Sequence, residues 1–254
     1  MAACGTEKAQ SDASDETNEP GAAPFGNFIN YYTFNPPENR LSLIPATLLQ
    51  DLGYRDSQQT TLMLDVGCNS GELSVALYKH LAQRPQCEAG GPLHLLGFDL
   101  DEQLVERARR SNPLPQHISF IPLDITKDTE SQRQLRDYVS QHGCSHFHLC
   151  VCLAVTMWVH LNHGDSGLLE LLSRLASVSQ HLLLEAQPWK CYRSAARRLR
   201  KLGRSDFDHF KSLRIRGDMA ERVREHLERS CGMELMRSFG STAWDRKLML
   251  FRRK

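Results

Sequence analysis

The sequence predicts one α/β domain: an open, mostly parallel sheet with helices on both faces, closed at the C-terminus by an antiparallel hairpin. Three observations predict it. Short apolar strand candidates alternate with helical segments of about ten to fifteen residues, which implies right-handed βαβ units. One of those strands runs straight into a glycine turn that opens a helix, the usual ligand-binding edge of such sheets. Near the end, GMELMRSFGSTAWDRKLMLFRRK holds two apolar runs that meet at Gly240-Ser241 with no helix between them, as a hairpin requires.

In chain order, residues 1–20 are rich in Ala, Ser, Asp and Glu and too poor in apolar side chains to fold, so they are expected to form a disordered acidic leader. The domain is expected over 21–254. It begins with a segment that places Phe25, Phe28, Tyr31, Tyr32 and Phe34 among Gly, Asn and Pro, which suits an ordered cover better than a linker. Leu41, Ile44, Leu48 and Leu49 repeat at helical spacing and predict a helix ending before Gly53. TLMLDVG is a strand and ELSVALYKHLAQ an amphipathic helix. LHLLGFDL, the helix DEQLVERARR and the strand HISFIPLDIT follow. Residues 129–142 read as a helix, FHLCVCLAV as a fourth strand, SGLLELLSRLASV as a helix and HLLLEAQ as a fifth strand.

Composition narrows the function. With 254 residues the chain is long enough to bury a core without disulfides or metal. The longest nearly unbroken apolar run, Leu149 to Val159 with Thr156 within it, has 11 residues, too few to span a membrane. With five acids and one Lys in the first 20 residues, neither a secretory signal nor an Arg-rich transit peptide is expected. Eight cysteines with no C-x-x-C spacing read as reduced intracellular thiols, so a cytoplasmic setting is expected. The net charge of +1 hides a polarised chain: residues 1–20 sum to −4, 21–189 to −6, 190–216 to +8 and 217–254 to +3. A segment that basic suggests a polyanionic partner, with a merely solvated helix face as the alternative. Within it Arg193, Arg197, Arg200 and Arg204 share one helical face, and the run from Lys190 to Arg204, Lys201 included, contains no acid. Trp189, Tyr192, Tyr31 and Tyr32 are candidates to stack an unpaired terminal base, though such aromatics also serve as core.

The strongest chemical signal is Leu64-Asp65-Val66-Gly67-Cys68-Asn69-Ser70-Gly71. Gly67 and Gly71 let a ligand approach the backbone. Asn69 takes the middle glycine of the dinucleotide pattern, so a pyrophosphate cofactor fits poorly, whereas Asp65 suits a ligand with an ammonium group. Asp99, at the tip of the second strand, can accept both hydroxyl hydrogens of a ribose. Asp124, ending the third strand, can meet an adenine amino group. Any one of these acids alone could be a helix cap; three at successive strand ends point to a nucleoside.

That order of Asp65, Gly67, Gly71, Asp99 and Asp124 resembles a class I S-adenosylmethionine-dependent methyltransferase, which implies a seven-stranded sheet. FGNFINYYTFNPPENR, LDVGCNSGELS, VTMWVHLNHGD and EAQPWKCY together resemble the Bin3 (bicoid-interacting) family of RNA 5′-phosphate methyltransferases over about residues 21–254. The resemblance is closest to the branch acting on 5′-monophosphate ends of small RNAs. The capping branch carries Lys and a second Trp where Met157 and His163 stand here, which favours a single phosphate. The family's donor contacts fall on Arg40, Asn69, Asp99, Asp124, Ile125 and Leu153, with Asp65, Gly67 and Gly71 around them. A guanidinium at Arg40 would hold the methionine carboxylate bidentately. Candidate phosphate-positioning groups are Tyr32, His160, His163 and Lys190. Candidate RNA contacts are Asn27, Tyr31, Trp189, Lys190, Arg193, Arg197, Arg200, Lys201 and Arg204, on a basic RNA-contacting insertion at 188–216.

The expected activity is O-methylation of the 5′-monophosphate of small RNAs, with pre-microRNA and histidine tRNA type substrates implied by the resemblance. No catalytic base is expected, because a terminal phosphate with a second pKa of about 6 is already anionic at neutral pH. No metal is expected: H-x-x-H-x-D at His160, His163 and Asp165 lacks a fourth ligand from a distant element. A monomer without membrane attachment is expected. The alternatives are a methyltransferase acting on a small molecule or protein, and an inactive cofactor-binding module that only binds RNA.

Overall fold

The computed structural model describes residues 23–54, 58–83 and 91–254. The acidic leader expected at 1–20 lies outside the described residues. Three single-turn helices, α1 (Tyr31–Phe34), α2 (Glu38–Leu41) and α3 (Leu48–Asp51), precede β1 (Thr61–Val66). Then come α4 (Glu72–Leu81), β2 (Leu93–Asp99), α5 (Glu102–Ser111), β3 (Ile118–Pro122), α6 (Asp128–Gln141) and β4 (Phe147–Leu153). The chain continues through α7 (Thr156–Val178), β5 (Ser179–Ala186), α8 (Trp189–Lys201), α9 (Met219–Ser230), β6 (Met233–Ser241) and β7 (Lys247–Arg253).

The strands form one seven-stranded sheet in the order β3-β2-β1-β4-β5-β7-β6. β1 to β5 are parallel, and β7 inserts antiparallel between β5 and β6. All six residues of β1 are buried, as a central parallel strand covered on both faces must be. The two faces carry separate cores. Leu62, Leu64 and Val66 pack with α7, α8 and α9, while Met63 packs with α3, α4 and α5. This alternation is the two-residue period of a strand converted into two hydrophobic layers. The sheet order reverses between β1 and β4, so their carboxyl ends open the crevice where ligands bind in doubly wound sheets.

Several sequence expectations need correction. The helix expected through Leu41, Ile44, Leu48 and Leu49 is two short helices, because Pro45 lacks the N–H that a continuous helix needs and disfavours the helical region at Ile44. The helix expected at 166–178 begins ten residues earlier at Thr156 and kinks at Gly164, whose φ of 69° is left-handed. The hairpin turn falls at Thr242–Arg246 rather than at Gly240-Ser241: the Thr242 amide donates to the Arg246 carbonyl at 3.0 Å. α9 was absent from the sequence reading, although Asp218 caps it by accepting from the Glu221 amide at 3.2 Å, a readable start signal.

Candidate active site

The glycine turn after β1 is built for close approach. Gly67 and Gly71 have φ of 73° and 81°, and even Asn69 is left-handed at 51°. A side chain at Gly67 would come within 2.6 Å of Val155, so the floor of the crevice stays open only with glycine there. Gly71 lies outside the cavity. Its missing side chain lets α4 close against Phe120 and Ala108.

Between the carboxyl ends of β1, β2 and β4 lies a cavity of about 320 Å³. Asp65, Gly67, Asn69, Asp99, Asp124, Ile125 and Leu153 line it, seven of the nine expected donor contacts. Each acid is locally held. Asp65 accepts from the Ser74 hydroxyl at 2.6 Å, and burial pushes its carboxyl up to about 7. Asp99 accepts from the amides of Asn69 at 2.9 Å and Asp101 at 3.0 Å, while burial raises its pKa. Asp124 accepts from the Thr126 amide and hydroxyl at 3.0 and 2.6 Å, which stiffens the β3 exit.

Residues 23–35 cross the cavity as a strap, which the aromatic composition suggested. Four contacts pin it. Asn69 donates to the Phe28 carbonyl at 3.0 Å, Asn162 donates to the Pro24 carbonyl at 2.9 Å, and Asn27 donates to Asp101 at 2.8 Å. Gly26 packs flush on the Trp158 indole, leaving no room for a side chain. Asn27, expected to meet RNA, therefore lines the donor cavity, and its Oδ1 is buried without a partner. Phe25, Trp158 and Asn162 are lining residues that sequence reasoning missed. Their signal was weak because they come from segments more than 130 residues apart.

Arg40 does not line the cavity. It is completely buried behind Tyr31, donating to Glu185 through Nε at 2.5 Å and Nη2 at 3.3 Å, and to the Tyr31 hydroxyl at 2.8 Å. Burial would depress the guanidinium; Tyr31 and Glu185 overcome that and hold it above its ordinary value. The bidentate fork expected for a carboxylate is thus taken by Glu185, and only Nη1 is buried without a partner. Tyr32 lines the cavity, but its hydroxyl donates to the Cys68 carbonyl at 3.2 Å.

His160 is a second correction. It is buried, with Nδ1 3.1 Å from the Tyr192 hydroxyl and Nε2 2.7 Å from Asp165. Asp165 in turn accepts from the amides of Arg214 at 2.9 Å and Ile215 at 3.2 Å, so this triad latches the end of the basic segment onto α7. With both ring nitrogens engaged, His160 has none to offer a phosphate. His163, on the exposed side, does reach the cavity. Met157, where the capping branch has Lys, is buried in the core and does not line the cavity.

The basic face forms as expected. Tyr192, Ala195, Ala196 and Leu199 bury one side of α8, while Arg193, Arg197, Arg200, Lys201 and, just past its end, Arg204 are exposed. None of these five forms an ion pair among the described residues. Trp189 is a further correction: its ring stacks with Tyr192 at 4.7 Å and Phe210 at 5.8 Å, with the Arg216 guanidinium 5.4 Å away, so packing uses the faces a base would need. Lys190 stands exposed at the start of α8, paired with Asp245 at 3.0 Å.

An acid held at the tip of β2, a glycine floor after β1 and the reversal of strand order beside them define a class I S-adenosylmethionine-dependent methyltransferase. The residues fit that donor: Asp99 can take the ribose, and Asn69, Asp124, Ile125 and Leu153 line the same cavity. Among solved structures, magnesium protoporphyrin IX methyltransferase from Synechocystis PCC 6803 with bound SAH aligns with a TM-score of 0.55 at 18% identity, covering 86% of this chain and 84% of that one. The same enzyme with bound SAM aligns at 0.53. A family profile described as Bicoid-interacting protein 3 (Bin3) matches residues 147–253. The "Pre-miRNA 5'-monophosphate methyltransferase" of Danio rerio is 67% identical over 95% of this chain and 96% of its own length. The "RNA 5'-monophosphate methyltransferase" of Homo sapiens is 51% identical over 92% of this chain and 82% of its own. The chain belongs to the Bin3 family of methyltransferases.

Proposed function

We infer that the protein transfers the methyl group of S-adenosylmethionine to an oxygen of an RNA 5′-monophosphate. The observation that carries this reading is a nucleoside-binding cavity whose covering strap is touched by the basic helix α8, through Arg198 over the Phe28 ring at 5.0 Å. A terminal phosphate, singly anionic at lower pH, is a dianion above a pH of about 6, so its oxygen attacks without a general base. The neighbouring side chains suit that chemistry. Asp65 is engaged by Ser74, His160 is locked in its latch and the Tyr32 hydroxyl is bonded to a carbonyl, which suits these three to binding and alignment rather than proton removal. Holding two reactants in line can supply about 7–11 kcal/mol of the barrier. The bound donor supplies an electrophilic methyl group.

Pre-microRNA hairpins are the substrates that the names of the Danio rerio and Xenopus laevis relatives favour. Histidine tRNA, which the family resemblance implies, is the second substrate class of this reading. Reduced thiols at Cys68, Cys144, Cys150, Cys152, Cys191 and Cys231 support a cytoplasmic setting, and we read the enzyme as a monomer. The test is incubation of labelled donor with one hairpin RNA carrying either a 5′-monophosphate or a 5′-hydroxyl, followed by nuclease digestion. Label confined to the 5′-phosphate supports the reading. Equal labelling of both RNAs overturns it in favour of a ribose or base methyltransferase.

A further inference from the structure

Glu185, at the end of β5, is a fully buried carboxylate shared by two guanidiniums. Arg40 approaches from α2, and Arg246, on the β6–β7 turn, donates from Nη1 to Glu185 at 2.9 Å. Trp244 lies beside both, its ring 5.3 Å from Arg40 and 5.4 Å from Arg246. One carboxylate against two guanidiniums leaves an excess positive charge in a largely dry place. Two donors there are also orphaned: Arg40 Nη1 and Arg246 Nε are buried without hydrogen-bond partners. A buried unpaired guanidinium is costly unless an anion arrives to meet it.

The reaction brings two anions, the carboxylate of the donor and the terminal phosphate of the RNA. Arg40 stands on the donor side, bonded to the cavity-lining Tyr31 and close enough to Asp65 to lower its pKa. Arg246 stands on the α8 side, because its neighbour Asp245 is bonded to Lys190 in the first turn of that helix. From there the exposed stripe of Arg193, Arg197 and Arg200 leads away along the helix.

Resting on the function proposed above, we propose that Arg246 is the residue that recognises the 5′-terminal phosphate, at the head of the basic stripe that tracks the rest of the RNA. Glu185 is the positioning residue between the two cations: it holds Arg40 toward the donor and Arg246 toward the phosphate. A 5′-hydroxyl end leaves Arg246 Nε without a partner and gains nothing from it. The assignment also gives the β6–β7 turn, which carries no expected site residue, a role in substrate choice.

The test uses the full chain, a hairpin RNA with a 5′-monophosphate or a 5′-hydroxyl, and S-adenosylhomocysteine. A charge-assisted contact predicts that the parent protein binds the phosphorylated RNA about tenfold or more tightly than the hydroxyl RNA. Arg246→Gln is expected to abolish that preference while leaving hydroxyl-RNA affinity and S-adenosylhomocysteine affinity unchanged; its fold should survive because Arg40 and Glu185 remain a balanced pair. Arg246→Lys, which keeps the charge but loses the fork, is expected to raise KM for RNA and not for the donor. A phosphate preference that survives in Arg246→Gln, or an unchanged RNA KM in Arg246→Lys, overturns the assignment alone. A parent protein with no phosphate preference overturns it together with the reading it rests on.

Discussion

The guanidinium of Arg198 lies 5.0 Å over the ring of Phe28. This contact joins α8, the basic helix, to the strap that crosses the donor cavity, so RNA and donor meet surfaces that touch each other. Such a cation–π contact is worth about 0.5–1 kcal/mol when partly exposed. Phe28→Ala should therefore weaken S-adenosylhomocysteine binding by about two- to fivefold, by loosening the strap. Calorimetric titration checks it; unchanged affinity would show that the strap does not depend on this contact.

Asp99 should be indispensable for the donor. Removing its carboxylate leaves both ribose hydroxyls unpaired in a buried site, a loss of a few kcal/mol, or about a hundredfold in affinity. Asp99→Ala is expected to show that loss while circular dichroism reports an intact fold. Titration of the variant with affinity equal to the parent would remove Asp99 from the donor site.

Donor binding should depend on pH through Asp65. Burial pushes this carboxyl up to about 7, so it is largely protonated below that pH and charged above it. The charged form attracts the donor's ammonium group, so affinity should rise from pH 6 to 8 and then level off. The Ser74 hydroxyl lowers the Asp65 pKa by bonding the charged form. Ser74→Ala should accordingly shift the profile toward higher pH. A flat profile in the parent protein would argue against an ionised Asp65 as the ammonium partner.

The arginine face of α8 should govern RNA affinity without touching the donor. Replacing Arg197, Arg200 and Arg204 by Glu is expected to weaken RNA binding and leave S-adenosylhomocysteine affinity unchanged. If about four phosphates are contacted, log K in the parent should fall with log salt at a slope of about −3. Filter binding across a salt series measures it, and a slope near zero would make the face merely solvated.

How much of this was legible beforehand follows from how far each interaction reaches along the chain. Strands β1 to β5, the glycine turn and the acids at 65, 99 and 124 were readable because each is a local pattern: apolar period, turn residue and strand-end acid lie within about ten residues of one another. The arginine stripe was readable for the same reason, since helical spacing alone puts those side chains on one face. Family resemblance added the choice of donor and substrate, which no periodicity carries. Only the tertiary structure decided the fates of Arg40, His160 and Trp189. Arg40 meets Glu185 across 145 positions, His160 bonds Tyr192 across 32, and Trp189 stacks on Phe210, a residue beyond the end of its own helix. An isolated Arg, His or Trp reads equally well as ligand or as core, because its chemistry is set by which partner the fold brings within hydrogen-bond or stacking distance. In all three cases the fold supplied a protein partner first.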